Sequence, residues 1–415
     1  MKSFSEIFAS AIRTANIPAR TLAPDECRAS RDQLCALCYA VTLDYDAELR
    51  LKNKALQEFW KTLRLPTPLE PLVVSPAGRH YRTTSKRKAF TYRGGVKLGL
   101  ISPTHDGTLR PINVLHCAIE PQEHTAIYRQ VQESIEKPYA SRLAKALNYV
   151  IIKGNYSEQT VIFNVQDTSP EVVRAANTLS KSLTSKIPGV IGVFLYEDDS
   201  RPAYYMGSRD NKRQPNFKKL FGKAEVFHRI GSRSFLFSPL SFSQVNLSIL
   251  DRLISTVGTL LRPGNEATLF DLYCGYGMFA LSLAGSVRSV VGVELSGSSI
   301  ESAISNAKRQ RVANARFIRS DINAESIERV MKNASSSDVV ILDPPRSGTA
   351  EGVIEGIAAR EPARVVHLFC EIDLIASELK RWTKSGYTLT KAIPFDMFPG
   401  TATVETMALL TPSVA

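Results

Sequence analysis

The sequence predicts an α/β protein whose C-terminal part is a doubly wound, Rossmann-like parallel sheet. Three observations carry that expectation. From about residue 246 onward, strand-like and helix-like stretches alternate, the rhythm of right-handed βαβ units. The run "ATLFDLYCGYG" leads from a strand into a glycine loop, followed at once by the helical "MFALSLAG". Polar groups also close four separate strands: Asp271 with Tyr273, Glu294, Asp343 and Cys370. Ligands in open parallel sheets sit beyond such carboxyl ends.

Three segments follow from the patterns. Residues 1–65 read as helical, apart from a cysteine-containing loop at roughly 22–40, with Phe4, Ile7, Phe8 and Ile12 on one helical face. Residues 66–235 read as a central α/β domain, which starts with short Gly-, Pro- and Thr-containing segments and the basic stretch Arg79–Arg93. Its residues 121–148 look helical, and "NYVIIKG" and "QTVIFNVQD" alternate as strands. "SPEVVRAANTLSKSL" is a helix with Ser169 at the N-cap and Pro170 at the first position. "GVIGVFLYE" adds a strand before a second basic stretch, Arg209–Lys223. Residues 236–415 hold the alternating part, with strands at "VRSVVGVEL", "ARFIRSD", "DVVILDPP" and "ARVVHLFC" and a helix at "SGSSIESAISNAKRQ". The last two strands, "TLTKAIPFDMF" and "VETMALL", have no helix between them, which predicts an antiparallel hairpin at one sheet edge.

Composition narrows the partners. The chain has 415 residues, 44% hydrophobic and 22% charged, enough for two or three globular domains. Lys and Arg total 52 against 40 Asp and Glu, a net +12. That excess favours nucleic acid over membrane, because no apolar stretch is long enough to span a bilayer. Glu6 and Arg13 interrupt any secretory core near the N-terminus, so a reducing cytoplasm is expected, with an organelle transit peptide as the alternative. No obligate protein partner is evident.

Gly275 and Gly277 allow close approach of a ligand to the backbone. Glu294 stands 17 residues after Gly277 at the end of the next strand, where a carboxylate accepts hydrogen bonds from ribose hydroxyls. A nicotinamide cofactor would call for a third glycine, which "GYGMFA" lacks. S-adenosylmethionine (SAM) needs no pyrophosphate cradle and suits the shorter loop. Asp343-Pro344-Pro345 then reads as a rigid loop that holds a target base against the methyl donor.

Residues from about 235 to 410 resemble the SAM-dependent RNA uracil-5-methyltransferases. The blocks that carry the resemblance are "FSPLSFSQVN" (237–246), "DLYCGYGMF" (271–279), "VVGVELS" (290–296), "ILDPPRSG" (341–348), the Cys370 strand and "DMFPGTATVET" (396–406). The resemblance implies that Gln244, Tyr273, Glu294 and Asp343 contact SAM or the pocket it shares with the base. It further implies that Cys370 is the nucleophile and Glu405 the base. Chemistry asks for the same two groups: a thiolate adding to C6 of uracil makes C5 nucleophilic, and a base must then remove the C5 proton. The chain departs from the family at "FCEID", where the family reads Ser-Cys-Asn-Pro. Glu371 and Asp373 are expected to raise the thiol pKa unless Arg346 or the sulfonium offsets them. A SAM-dependent N-methyltransferase using the Asp-Pro-Pro loop and an RNA-binding paralogue without catalysis are the rival readings.

Cys27, Cys35 and Cys38 are spaced C-x7-C-x2-C, and Cys117 follows in "VLHCAIEP". Spacing alone leaves zinc, an iron–sulfur cluster and free thiols open. The resemblance favours a 4Fe–4S cluster on these four residues, as in family members that modify large-subunit ribosomal RNA, with zinc as the alternative. Ribosomal RNA is thereby favoured as the partner over transfer RNA. The two basic stretches, with Tyr81, Tyr92 and Phe217 for stacking, are the expected RNA contacts.

Overall fold

The computed structural model describes residues 2–15, 27, 35–103, 108–199 and 216–413. Helix α1 (Phe4–Thr14) starts at a capping box in which Ser3 and Glu6 bond each other's backbone, and it buries Phe4, Ile7 and Phe8 as its periodicity predicts. Helix α2 (Tyr45–Leu63) buries Ala55, Leu56, Phe59 and Trp60. These side chains join Phe270, Leu272, Val340, Phe369 and Trp382 in one apolar cluster. The first helices are therefore built onto the C-terminal sheet, hundreds of residues away in sequence.

The central segment forms one sheet of β1 (Thr84–Tyr92), β2 (Gly95–Pro103), β3 (Leu109–Ile112), β4 (Leu147–Gly154), β5 (Gln159–Val165), β6 (Val190–Glu197) and β7 (Phe217–Gly222). The order is β3-β2-β1-β4-β5-β6-β7. Only β5 and β6 run parallel, because a helix joins them; the other pairs are antiparallel. Helices α3 (Gln122–Ile135), α4 (Ser141–Ala146) and α5 (Pro170–Lys186) cover one face with Ile127, Val131, Leu143, Leu179 and Leu183. Ser169 does occupy the N-cap of α5, but its hydroxyl makes no cap bond. A hairpin of β8 (Val226–Ile230) and β9 (Arg233–Phe237) leads into the last part.

That part alternates as expected: α6 (Leu250–Leu261), β10 (Thr268–Leu272), α7 (Met278–Leu283), β11 (Ser289–Glu294), α8 (Gly297–Arg309), β12 (Ala315–Arg319), α9 (Ala324–Val330), β13 (Val339–Leu342), α10 (Val353–Ala358), β14 (Arg364–Phe369) and α11 (Ile375–Lys384). It closes with β15 (Tyr387–Phe395) and β16 (Glu405–Pro412). The sheet order is β12-β11-β10-β13-β14-β16-β15. Strands β10 to β14 are parallel; β10, β11, β13 and β14 are buried on both faces, one against the α1/α2 side and one against α6 and α7, while β12 is a partly exposed edge strand. The antiparallel β15–β16 hairpin lies at the edge, as the sequence implied. The strand order reverses between β10 and β13, which puts the ligand crevice there.

The basic stretch Arg79–Arg93 is not a free cationic ribbon. Arg87 is fully buried and forks onto Glu120, with both bonds at 2.9 Å. Arg79 bonds Glu48 and the carbonyls of Ala40 and Leu43. Tyr81 is buried and donates to the Pro399 carbonyl, so it cannot stack on a base. Tyr92 remains exposed, with Arg93 over its ring. In the second stretch, residues 209–215 lie outside the described residues, and Phe217 stacks on Phe194 within the sheet.

Candidate active site

The glycine loop between β10 and α7 turns through three left-handed residues: Tyr273 (φ 67°), Gly275 (φ 54°) and Gly277 (φ 84°). A Cβ at Gly275 would meet nothing within 4 Å, so open space lies over the loop. The Glu294 carboxylate sits beside it at the end of β11. It accepts the Gly275 N–H at 3.2 Å and the Ser296 N–H at 2.8 Å. Asp271 is fully buried; one oxygen accepts the Ala280 N–H at 2.8 Å while the other has no partner. Burial pushes this carboxyl up to about 8, against a partial offset from the Ala280 bond. An orphaned buried acceptor, a fixed ribose-type carboxylate and open space above glycine fit an adenosyl cosubstrate. Gln244 is buried on the segment between β9 and α6, which is fastened immediately after it by the Val245 carbonyl to the Thr83 N–H and by Asn246 to the Met397 carbonyl.

The second half of the crevice lies at the ends of β13, β14 and β16. Phe369 pairs with Thr406, so Cys370 and Glu405 face each other one step further along the antiparallel ladder. The Cys370 thiol donates to Asp343 Oδ1 at 3.5 Å. Glu405 is buried, and one of its oxygens has no partner. Its carboxyl is pushed up to about 8 by burial and then by the Asp343 charge, with Arg346 pulling the other way. Burial also raises Asp343, and the Cys370 bond opposes it. The thiol stands well above its ordinary value through burial, Glu405 and Asp343, with Arg346 again opposing. The apo pocket therefore disfavours a second negative charge, and a cation entering it would favour thiolate and carboxylate together.

The residues after Cys370 act differently from the sequence expectation. The acids that oppose the thiolate are Glu405 and Asp343, whereas Asp373 accepts the Phe4 N–H at 3.0 Å and is engaged with the start of α1. Pro344, Pro345, Arg346, Phe369, Cys370 and Glu371 line a small pocket here. The loop that carries the prolines is anchored from behind by Glu378, which accepts the Thr349 N–H and hydroxyl, both at 2.6 Å. Glu378 was not legible in the sequence, since an acid on an amphipathic helix usually faces solvent.

All four cysteines of the second set are free thiols. Cys27 packs with Cys38, Val41 and Ala118, while Cys35 packs beside Ile112 and Val114. Burial raises Cys38 to about 12, with the charges of Cys35 and Cys27 next in size, and Cys117 is raised by burial, Glu120 and Cys38. Cys27 and Cys38 are packed together, but among the described residues no three His, Cys, Asp or Glu side chains are grouped closely enough to hold a metal.

Residues 218–413 match the family described as tRNA (Uracil-5-)-methyltransferase. This part of the chain is similar to that family, and the match spans just under half of the chain. An uncharacterized RNA methyltransferase of Thermotoga maritima is 28% identical over 385 residues, 91% of this chain and 82% of the relative. One of Geobacter sulfurreducens is 29% identical over 406 residues, 95% of this chain and 78% of the relative. Among solved structures, Pyrococcus abyssi tRNA (uracil-54, C5)-methyltransferase, in complex with S-adenosyl-L-homocysteine, superposes with a TM-score of 0.66. It is 22% identical, and the match covers 89% of this chain and 84% of that one, a likeness of fold. No described helix is long and apolar enough to cross a membrane.

Proposed function

We propose that the protein methylates C5 of a uridine in RNA through a temporary Cys370–C6 bond. The observation that carries this reading is the meeting of Cys370, Glu405 and Asp343 at one end of the β13–β14–β16 ladders, next to the glycine loop. Gln244, Tyr273, Glu294 and Asp343 bind SAM, which supplies an electrophilic methyl group on a sulfonium. Asp343, 3.5 Å from the thiol, is its nearest proton acceptor. Cys370 as thiolate adds to C6, and the ring electrons move onto C5 and the neighbouring carbonyl. C5 then takes the methyl group. Glu405, whose free oxygen has no other duty, removes the C5 proton, and the C6–S bond breaks to restore the ring double bond. The target uridine must be unstacked to reach the sulfur.

Cys27, Cys35, Cys38 and Cys117 hold a 4Fe–4S cluster in this reading, with zinc as the alternative. Support comes from the packing of Cys27 against Cys38 and from the electrostatic reach between Cys38 and Cys117; a metal would have to displace the protons that burial holds on Cys38 and Cys117. The cluster would staple the N-terminal segment to the central domain. Exposed Tyr92 with Arg93 is the remaining candidate for RNA contact. Large-subunit ribosomal RNA is the favoured substrate through the cysteine set, while transfer RNA is named for the family and for the Pyrococcus protein. Incubation with methyl-labelled SAM and separate ribosomal and transfer RNA pools, followed by nucleoside analysis, tests the reading. 5-Methyluridine in the ribosomal pool supports it in full, and in the transfer pool alone overturns the substrate. An N-methylated base or no product overturns the chemistry.

A further inference from the structure

The segment Asp396–Val404, which delivers Glu405 to the pocket, is held almost entirely by the N-terminal half of the chain. Lys52 lies fully buried in α2 between Asp396 (2.8 Å) and Glu48 (3.0 Å), and both acids are also buried. The Tyr45 hydroxyl donates to the other Asp396 oxygen at 2.8 Å. Glu48 accepts the Gly400 N–H and is bonded by Arg79 at 3.0 Å. The Gly400 carbonyl in turn accepts the N–H groups of Tyr39 (2.8 Å) and Ala40 (3.1 Å). Tyr81 bonds the Pro399 carbonyl at 2.9 Å and Asn246 the Met397 carbonyl at 3.1 Å. Five side chains and two backbone amides thus bond directly to a loop that lies 300 residues and more from most of them.

A buried lysine between two buried carboxylates is a costly way to stabilise a fold, because each ion loses its hydration. A well-packed apolar trio would serve stability as well or better. What charge adds is directionality: Lys52 and Glu48 together set the position of both ends of a five-residue arc from Asp396 to Gly400. The Glu405 carboxyl has no hydrogen bond to hold its free oxygen, so its position follows from the backbone that delivers it.

We propose that Lys52, with Glu48, Tyr45 and Asp396, is a positioning group for Glu405, by which the N-terminal segment sets the proton-removal step. The inference rests on the covalent reading above. It also means that the chain around Cys38 is tied to the base through the amides of Tyr39 and Ala40.

The test uses the full-length holoprotein with its RNA substrate, quenched in denaturant, and scores three quantities: turnover, KM for RNA and SAM, and the share of enzyme carried as a denaturant-stable RNA adduct. Slowing proton removal leaves addition and methyl transfer intact, so the methylated adduct accumulates. Lys52→Met and the milder Tyr45→Phe are expected to lower kcat, by up to about a hundredfold for a base displaced by an ångström. Because the slowed step follows methyl transfer, kcat/KM for RNA and SAM should stay within about twofold, both KM values should fall with kcat, and the adduct share should rise. Leu56→Ala, in the same helix but outside the network, is the control for general loss of stability and should not raise the adduct. If Lys52→Met does not fold, Tyr45→Phe decides. Unchanged kcat, or lower kcat without more adduct, overturns the proposal. If Cys370→Ala still methylates uridine, the covalent reading itself is wrong, and that result is separate from any outcome at Lys52.

Discussion

Replacing Glu405 by glutamine tests the pocket on two independent axes. A carboxyl pushed up to about 8 by burial and Asp343 holds its proton more tightly in the fold than in the unfolded chain. The folded state then binds more protons between the ordinary value of 4.5 and about 8, so stability is greatest below that window and falls as pH rises through it. Wild-type protein above the window carries a penalty of at most about 5 kcal/mol from this group. Glutamine cannot ionise and escapes it, while its own unmet amide bonds take back about 1–3 kcal/mol. Melting curves at about pH 5 and about pH 8.5 should therefore cross: the variant melts at or below wild type in acid and a few degrees above it in base, at about 1–2 °C per kcal/mol for a chain of this size. On the second axis, loss of a general base costs roughly 10²–10⁴ in turnover and leaves the RNA attached to Cys370. A variant less stable than wild type at both pH values would refute the burial argument. Normal turnover would refute the assignment of the base.

Four further outcomes follow from the geometry. Cys370→Ala should lose all uridine methylation and adduct while SAM binding by calorimetry stays within about threefold, because Glu294 at the end of β11 and Gly275 in the glycine loop lie on other elements. Glu294→Ala should weaken SAM binding roughly ten- to a hundredfold, the worth of one or two bonds to a charged acceptor. Gly292→Val puts a Cβ 2.5 Å from the Phe317 ring and 2.9 Å from the Cys274 sulfur. It should cost about 1–3 kcal/mol in denaturant melts. Cys38→Ser should abolish the broad blue absorption of anaerobically purified protein if iron–sulfur is correct, and leave no band to lose if the metal is zinc.

The sequence exposed the alternating half well, since β10 to β14 are short apolar runs bounded by Gly, Pro and polar residues. It also placed Asp271, Glu294, Asp343 and Cys370 at strand ends, because parallel topology follows from alternation. What it could not show were pairings across long separations. The bonds of Lys52 to Asp396 and of Asp373 to Phe4 leave no periodicity to read. Basic runs misled for the same reason. Arg79 and Arg87 look like surface charge until Glu48 and Glu120 are seen beside them. "FCEID" read as two acids pressing on a thiol, although Asp373 caps a helix from the far end of the chain.

That cap has a consequence for biosynthesis. Beyond their contacts with one another, Phe4, Phe8, Leu56, Phe59 and Trp60 find their apolar partners in strands of the C-terminal sheet, which leave the ribosome much later. At about 5–20 residues per second, the nascent helices wait roughly 20–70 seconds with greasy faces uncovered. Chaperone occupancy of nascent chains should persist until residue 373 has emerged, and release before that length would show that the early helices shelter each other instead.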